Sequence, residues 1–416
     1  MNRAEQQRPI AYLELLRNNT CYRRLFFARM ISLLGDWFHL LAILALLRGI
    51  GHDSAAAFAG VIIVKSMATF LVLPIAGVWA DRVSRLRLMI ISDLGRAVAV
   101  LAMFSVLIWP SVPLLISLVA LQSGLTALFE PAKNAIFPDI LSDRELVAAN
   151  ALGAAMWSTM LTVGSALGGW FTDLFGWQAA LLVDASSYVV SAMLLWGLRE
   201  PIVNRAESTS MWLNLTEGTS HLLAHRNILT LALVKMMWSV AGAVTILLAL
   251  LGENRFSLSE SGLISVGLFY MARGLGTGLG PFLARWLSNE DPRRMEKLIG
   301  WGFVCGGGFY VLMPWASTIT TAMLLVTLAH LGGATVWVFS TVRLQQQLAS
   351  EIRGRVFAVE HALFLLMSVI STAIYSWLSD SVGIDAQDLL CATGVTLLLM
   401  AALWWLFQAK TNRDLG

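Results

Sequence analysis

Apolar positions in this chain are not spaced at helical intervals, nor do they alternate as in a half-buried strand. They come in unbroken runs of about 20 residues, separated by short polar stretches. The runs cover 25–47, 55–78, 88–108, 113–136, 146–171, 179–198, 228–251, 262–283, 298–313, 319–342, 356–378 and 389–407. At about 1.5 Å of rise per residue, a run of this length matches the hydrocarbon thickness of a bilayer. Lipid offers no partner to an unpaired backbone N–H or C=O, so each run is expected to be a helix. The pattern predicts an all-α integral membrane protein with twelve transmembrane helices. Its segments are a polar N-terminal stretch (1–24), a six-helix half (25–198), a linker (199–227), a second six-helix half (228–408) and a tail (409–416).

Composition agrees. Of 416 residues, 57% are hydrophobic and 13% charged, about half the charged share of a soluble domain. A soluble enzyme, a disordered tail protein and a secreted disulfide scaffold are excluded. The three cysteines, Cys21, Cys305 and Cys391, stand far apart in or beside apolar runs and form no thiol metal pattern. The net charge of +3 gains meaning from its location. With the N-terminus inside, 22 of the 29 Lys and Arg residues fall on the cytoplasmic side, Arg48 and Arg255 fall outside, and five lie within runs. Both termini are therefore expected in the cytoplasm. Residues 1–22 are polar and basic and the first run is already a full span, so no signal peptide is expected.

The halves share a plan. Residues 139–152 overlay 350–363 at a constant offset of 211, pairing Arg144 with Arg355 and Ala151-Leu152 with Ala362-Leu363. In the linker, Trp212, Leu215, Leu222 and Leu223 recur at helical spacing among polar residues, which reads as an amphipathic helix on the cytoplasmic membrane surface. His221 and His225 share its face but have no third ligand nearby, and they read as solvated rather than metal-binding. Gly274, Gly276, Gly278 and Gly280 alternate in the eighth run; no Gly-Lys-Ser/Thr follows, so they read as close helix packing. No HExxH or G-x-S-x-G motif is present, and no catalytic residue, metal, cofactor or nucleic-acid partner is expected.

The second run ends in Gly77-Val-Trp-Ala-Asp81-Arg82-Val-Ser84-Arg85, and this stretch resembles the signature loop between helices 2 and 3 of the major facilitator superfamily. Ser84 stands where that family usually has a second glycine. Phe129-Glu130-Pro131-Ala-Lys133, Leu146-Val-Ala-Ala-Asn150 and Glu351-Ile-Arg353-Gly354-Arg355 are similar to loops of the branch that includes macrolide-efflux proteins and the enterobactin exporter. Gly164-Ser165-Ala-Leu-Gly168-Gly169 resembles the family's antiporter signature, with serine at the usual proline position; packing alone is the other reading. The resemblance implies two pseudo-symmetric six-helix bundles with a substrate cavity near mid-membrane and alternating access. It also implies a conformational latch, to which Gly77, Asp81, Arg82, Arg85, Asp93, Arg96, Arg353 and Arg355 are assigned.

Ionisable side chains within the runs carry the chemistry, because each costs about 2.5–3.5 kcal/mol at mid-span unless it meets a partner or a wet cavity. Arg29, Ser32, Asp36 and His39 form one polar stripe along the first helix. Asp36 is the leading proton-coupling candidate, with a fixed ion pair to Lys65 as the alternative; His39 and Glu130 are the further candidates. Arg29, Lys65, Asp184, Lys235, Trp238, Tyr270 and Arg273 are the substrate-cavity candidates, with Trp37, Phe38, Met236 and Met237 as apolar lining. The excess of cations suits an anionic or zwitterionic substrate. The expected protein is a monomeric, multi-pass protein of a bacterial inner membrane that exports an amphipathic drug, macrolide or siderophore in exchange for protons. An importer or lysolipid flippase of the same fold, and a non-transporting scaffold or sensor, are the alternatives.

Overall fold

The computed structural model describes residues 11–52, 54–198, 211–289 and 291–414, and no strand occurs among them. A short helix α1 (Tyr12–Asn18) leads into α2 (Thr20–Gly49), whose start is fixed by Asn19: its side chain accepts from the Tyr22 N–H at 2.9 Å and donates to the Ile140 carbonyl at 2.8 Å. Next come α3 (Ala55–Arg82), α4 (Arg85–Ala102) with a 3₁₀ turn at Met103–Leu107, and α5 (Val112–Ile140); Ser84 caps α4 and Ser111 caps α5. Helix α6 (Asp143–Thr159) opens on a Ser142/Glu145 capping box and passes through a π turn at Met160–Gly164 into α7 (Ser165–Leu195). Gly176, at φ 81°, breaks α7 into two legs, a conformation that suits glycine alone. The continuous stretch 148–195 therefore holds two passes, the fifth and sixth runs.

The linker carries α8 (Met211–Ala224). The seventh pass is assembled from α9 (Arg226–Trp238), a 3₁₀ turn at Ser239–Ala241, α10 (Val244–Leu250) and a π turn at Leu251–Arg255. Helices α11 (Leu263–Ser288), α12 (Pro292–Val311), α13 (Ile319–Gln347), α14 (Ser350–Trp377) and α15 (Ala386–Asp414) complete, among the described residues, the twelve passes expected from the sequence. Large apolar side chains such as Phe282 and Trp286 are 76% and 77% exposed, the surface that a lipid solvent requires.

Contacts divide the chain into two compact units, Met1–His52 with Val64–Ser208 and Asp53–Ile63 with Thr209–Gly416. The N-terminal end of α3 and the linker helix α8 thus group with the second unit. In the first unit α2 packs along α7, where Gly35 admits Ser187 and Asp184, and Gly164 and Gly168 admit Trp37. An apolar cluster including Leu25, Phe129, Ile136 and Leu195 forms a core within this unit. In the second unit α12 lies between α13 and α15, its backbone brought close to theirs by Gly302 against Gly332 and Gly307 against Gly394. Helix α8 packs on α14, with Gly218 against the backbone of Arg355 and Glu217 ion-paired to the Arg355 guanidinium.

Candidate functional site

The polar stripe of α2 turns into the first unit and meets charged groups from three other helices. Arg29 lies 2.9 Å from Glu130 of α5 and 3.5 Å from Asp36, two turns along its own helix. Glu130 also holds Lys133, one turn further on, at 2.5 Å. Asp36 accepts a hydrogen bond of 2.6 Å from the Tyr188 hydroxyl of α7, which in turn accepts from Gln122 Nε2 at 2.8 Å. Arg96 of α4 lies over the Tyr188 ring at 4.2 Å and the Phe129 ring at 5.4 Å, and it is ion-paired to Asp93, whose second oxygen accepts from Ser191 at 2.6 Å. His39 Nδ1 stands 2.9 Å from Asp184.

These contacts separate two kinds of carboxylate. Asp93 and Asp184 are fully enclosed, whereas the side chains of Asp36 and Glu130 retain 17% and 37% exposure. A cavity of about 480 Å³ opens at Glu130, lined by Arg29, Glu130, Lys133, Asn134, Asn150 and Trp157, and Asp36 lies behind Arg29. The order from cavity to core is Lys133, Glu130, Arg29, Asp36, Tyr188. Each neighbour touches the next, so a change of protonation at one carboxylate alters the charge balance of the chain. For the alternative of a fixed Asp36–Lys65 pair, the structure shows no such contact within ion-pairing distance among the described residues, and the partners of Asp36 are Arg29 and Tyr188.

In the second unit Lys235 of α9 is ion-paired at 3.1 Å to Glu360 of α14, with its ammonium 4.5 Å from the Trp337 ring centroid. Arg273 of α11 donates to Thr245 Oγ1 at 2.8 Å and has no carboxylate within ion-pairing distance among the described residues. Tyr270 donates to the Thr245 carbonyl at 2.8 Å, and Tyr310 shares a hydrogen bond of 2.9 Å with His330. Trp238 packs against Gly306 and Gly333 and lies edge-on to His330, 6.3 Å between centroids. It is half-buried in the second unit.

The contacts of the described residues assigned to a latch fall within their own units. Arg85 pairs with Asp139 and donates to the Ala135 carbonyl at 2.7 Å; Asp93 and Arg96 sit in the core of the first unit. Arg353 donates to the Leu348 carbonyl at 3.0 Å, Arg355 is held by Glu217, and Arg82 is exposed. Gly77 and the Asp81 side chain lie outside the described residues. Gly164 and Gly168 lie against Trp37 of α2, and Gly169 is buried in α7. The rings of His221 and His225 stack at 4.3 Å, and among the described residues no group of three metal-ligating side chains occurs.

Sequence reasoning missed Glu360, Tyr188, Gln122 and Ser191. Glu360 carried a signal, a charge inside the eleventh apolar run, but its place near the start of that run hid it. The others are ordinary polar residues whose role appears only once α4, α5 and α7 are packed.

The family model of the Major Facilitator Superfamily matches residues 25–359. The chain is 24% identical over 414 residues, 95% of both proteins, to the uncharacterized MFS-type transporter YfiS of Bacillus subtilis. It is 24% identical over 381 residues, 89% of this chain and 91% of the relative, to a Bacillus subtilis protein provisionally named bacilysin exporter BacE. Among solved structures, the nucleoside transporter NupG superposes with a TM-score of 0.71 at 11% identity, covering 93% of this chain and 98% of that one. An inward-facing bacterial homologue of the iron transporter ferroportin superposes with a TM-score of 0.70 at 17% identity, covering 93% and 98%.

Proposed function

The chain belongs to the Major Facilitator Superfamily and is a multi-pass membrane transporter, and from that premise we propose that it exports an amphipathic small molecule in exchange for protons by alternating access. The observation that carries the reading is the run of touching charges from the cavity-lining Glu130 through Arg29 to the partly exposed Asp36. A carboxylate that gains a proton releases Arg29, and a freed guanidinium takes up new partners only in another conformation. Proton binding then biases one state over another by its differential affinity for the two. Export is supported by the relative provisionally named a bacilysin exporter.

Arg273 supports a substrate with an anionic group, acidic or zwitterionic. It is a cation within the second unit for which the described residues supply no counter-charge, whereas Lys235 is matched by Glu360. The protein acts as a monomer in a bacterial inner membrane with both termini in the cytoplasm, an orientation supported by the bias of basic residues. Fusions at the C-terminus test the last point: a fluorescent-protein fusion glows and an alkaline phosphatase fusion stays inactive, and the reverse pattern overturns the orientation.

A thermal-shift screen over acidic, zwitterionic and neutral amphiphiles supplies ligands, because binding stabilises the folded state by mass action. In everted vesicles, a ligand so found is expected to accumulate when the lumen is acidified and to leak back when a protonophore is added. Arg273→Gln is expected to weaken binding of acidic ligands about tenfold or more while leaving neutral ones within about twofold, the loss of one charge-assisted contact. Accumulation insensitive to protonophore, or an Arg273→Gln effect equal for all ligands, contradicts the proposal.

A further inference from the structure

Outside the transport network, charge and aromatic surface come together at the polar end of α12. Asp291 caps this helix by accepting from the Arg293 N–H at 2.9 Å, and Pro292, Arg293, Arg294, Met295, Glu296 and Lys297 make up its first turns. Arg293, Lys297 and Trp301 are spaced four residues apart, so they share one face, with the indole about 6 Å deeper along the helix than the Lys297 position. Across from them stands Trp405 of α15, its ring 5.8 Å from that of Trp301 at 73°. Together with Glu296 and Gln408 these side chains line a groove of about 720 Å³.

The charges in the groove do not cancel. Glu296 is occupied by Arg343 of α13, whose Nε and Nη2 donate to one carboxylate oxygen at 3.0 and 2.7 Å. Arg294 is matched with Asp291 at 3.7 Å. Arg293 and Lys297 have no carboxylate partner among the described residues. Two exposed cations therefore sit above two indoles that are 59% and 40% exposed. Tryptophan with an apolar face and a polar edge belongs at the level where headgroups meet acyl chains.

We propose that this groove is a binding site for one anionic phospholipid, its phosphate held between Arg293 and Lys297 and its upper acyl chain laid over Trp301 and Trp405. The vertical order of the groove matches that of the lipid: cations at headgroup depth, indoles below. A zwitterionic lipid fits less well, since the carboxylate that its ammonium needs is already engaged by Arg343. A free phosphate makes no use of the indoles. The site is remote in composition from the Arg29–Asp36–Glu130 network and does not depend on proton coupling or on the substrate.

The test uses the full-length protein in detergent, with added phosphatidylglycerol, phosphatidylcholine or glycerol phosphate, and retained lipid counted by native mass spectrometry. The wild-type protein is expected to keep one phosphatidylglycerol with a preference over phosphatidylcholine on the order of tenfold, the attraction of two basic residues near a membrane surface. Arg293→Gln with Lys297→Gln is expected to reduce that preference to about twofold or less, while Arg293→Lys with Lys297→Arg keeps it. Arg294→Gln, which alters a matched charge on the same turn, is expected to leave it unchanged. Retention of the preference in the doubly neutral variant overturns the site, and so does displacement of the lipid by millimolar glycerol phosphate, which identifies a free-anion site instead.

Discussion

At the scale of single residues, the buried ions of the two units differ in what replaces water around them. Asp36 is reached from the cavity side by Arg29 and from the core side by Tyr188, so its charge is shared between two partners. Among the described residues Lys235 and Glu360 have each other as ionic partners, with the Trp337 and Phe357 rings beside Lys235 and side-chain exposures of 8% and 2%. Removing one member of such a pair leaves an uncompensated charge, at a cost of about 3–5 kcal/mol, whereas removing both is close to neutral. Lys235→Met and Glu360→Gln are each expected to lower the unfolding temperature markedly, and the double variant to recover most of the loss. Additive losses in the double variant, measured by thermal unfolding in detergent, contradict a coupled pair. The same contrast explains what the residues revealed in advance. The stripe from Arg29 to His39 was legible because helical spacing alone puts it on one face. Glu360 obeys the same rule as Asp36 but lies one turn from a boundary that hydropathy places only coarsely. Tyr188 and Ser191 are unremarkable until three helices converge on them.

At the scale of elements, backbone proximity is set by glycines whose roles differ between adjacent positions. On α12, a Cβ at Gly307 meets the Gly394 carbonyl at 2.7 Å and Leu398 Cγ at 2.9 Å, while one at Gly308 meets nothing within 4 Å. Gly307→Ala is expected to cost about 1–3 kcal/mol through overpacking against α15. Gly308→Ala is expected to be neutral or to gain up to about 1 kcal/mol from backbone entropy. Equal effects of the two, by thermal unfolding, contradict the packing described. Hydropathy marked every pass but not its internal breaks. The gap between the fifth and sixth runs correctly held the Gly176 bend, yet the 3₁₀ turn at Ser239–Ala241 and the π turns at 160–164 and 251–255 have no apolar signature. Helix α12 begins at Pro292, ahead of its apolar run, because its charged first turns stay outside the hydrocarbon while keeping the helical hydrogen bonds.

At the scale of the whole molecule, each of the two units carries its own polar interior: a connected network of carboxylates and arginines in the first, and in the second a matched pair and an arginine with no carboxylate partner among the described residues. The proposed function divides the labour accordingly, with protons handled in the first unit and the substrate's charge in the second. The twelve runs and the internal repeat made the fold readable, because lipid imposes a length and a hydropathy on each pass. The partners of the charges were not readable, because ion pairs join residues as distant in sequence as Arg29 and Glu130 or Lys235 and Glu360. The central claim is that protonation of Asp36 drives transport. It is tested most directly in proteoliposomes, with Asp36→Asn compared with the wild-type protein in two assays, substrate exchange at equal pH and substrate accumulation under an imposed pH gradient. The account predicts that the variant keeps exchange within a few-fold of wild type and loses gradient-driven accumulation. Accumulation at the wild-type level in Asp36→Asn contradicts it.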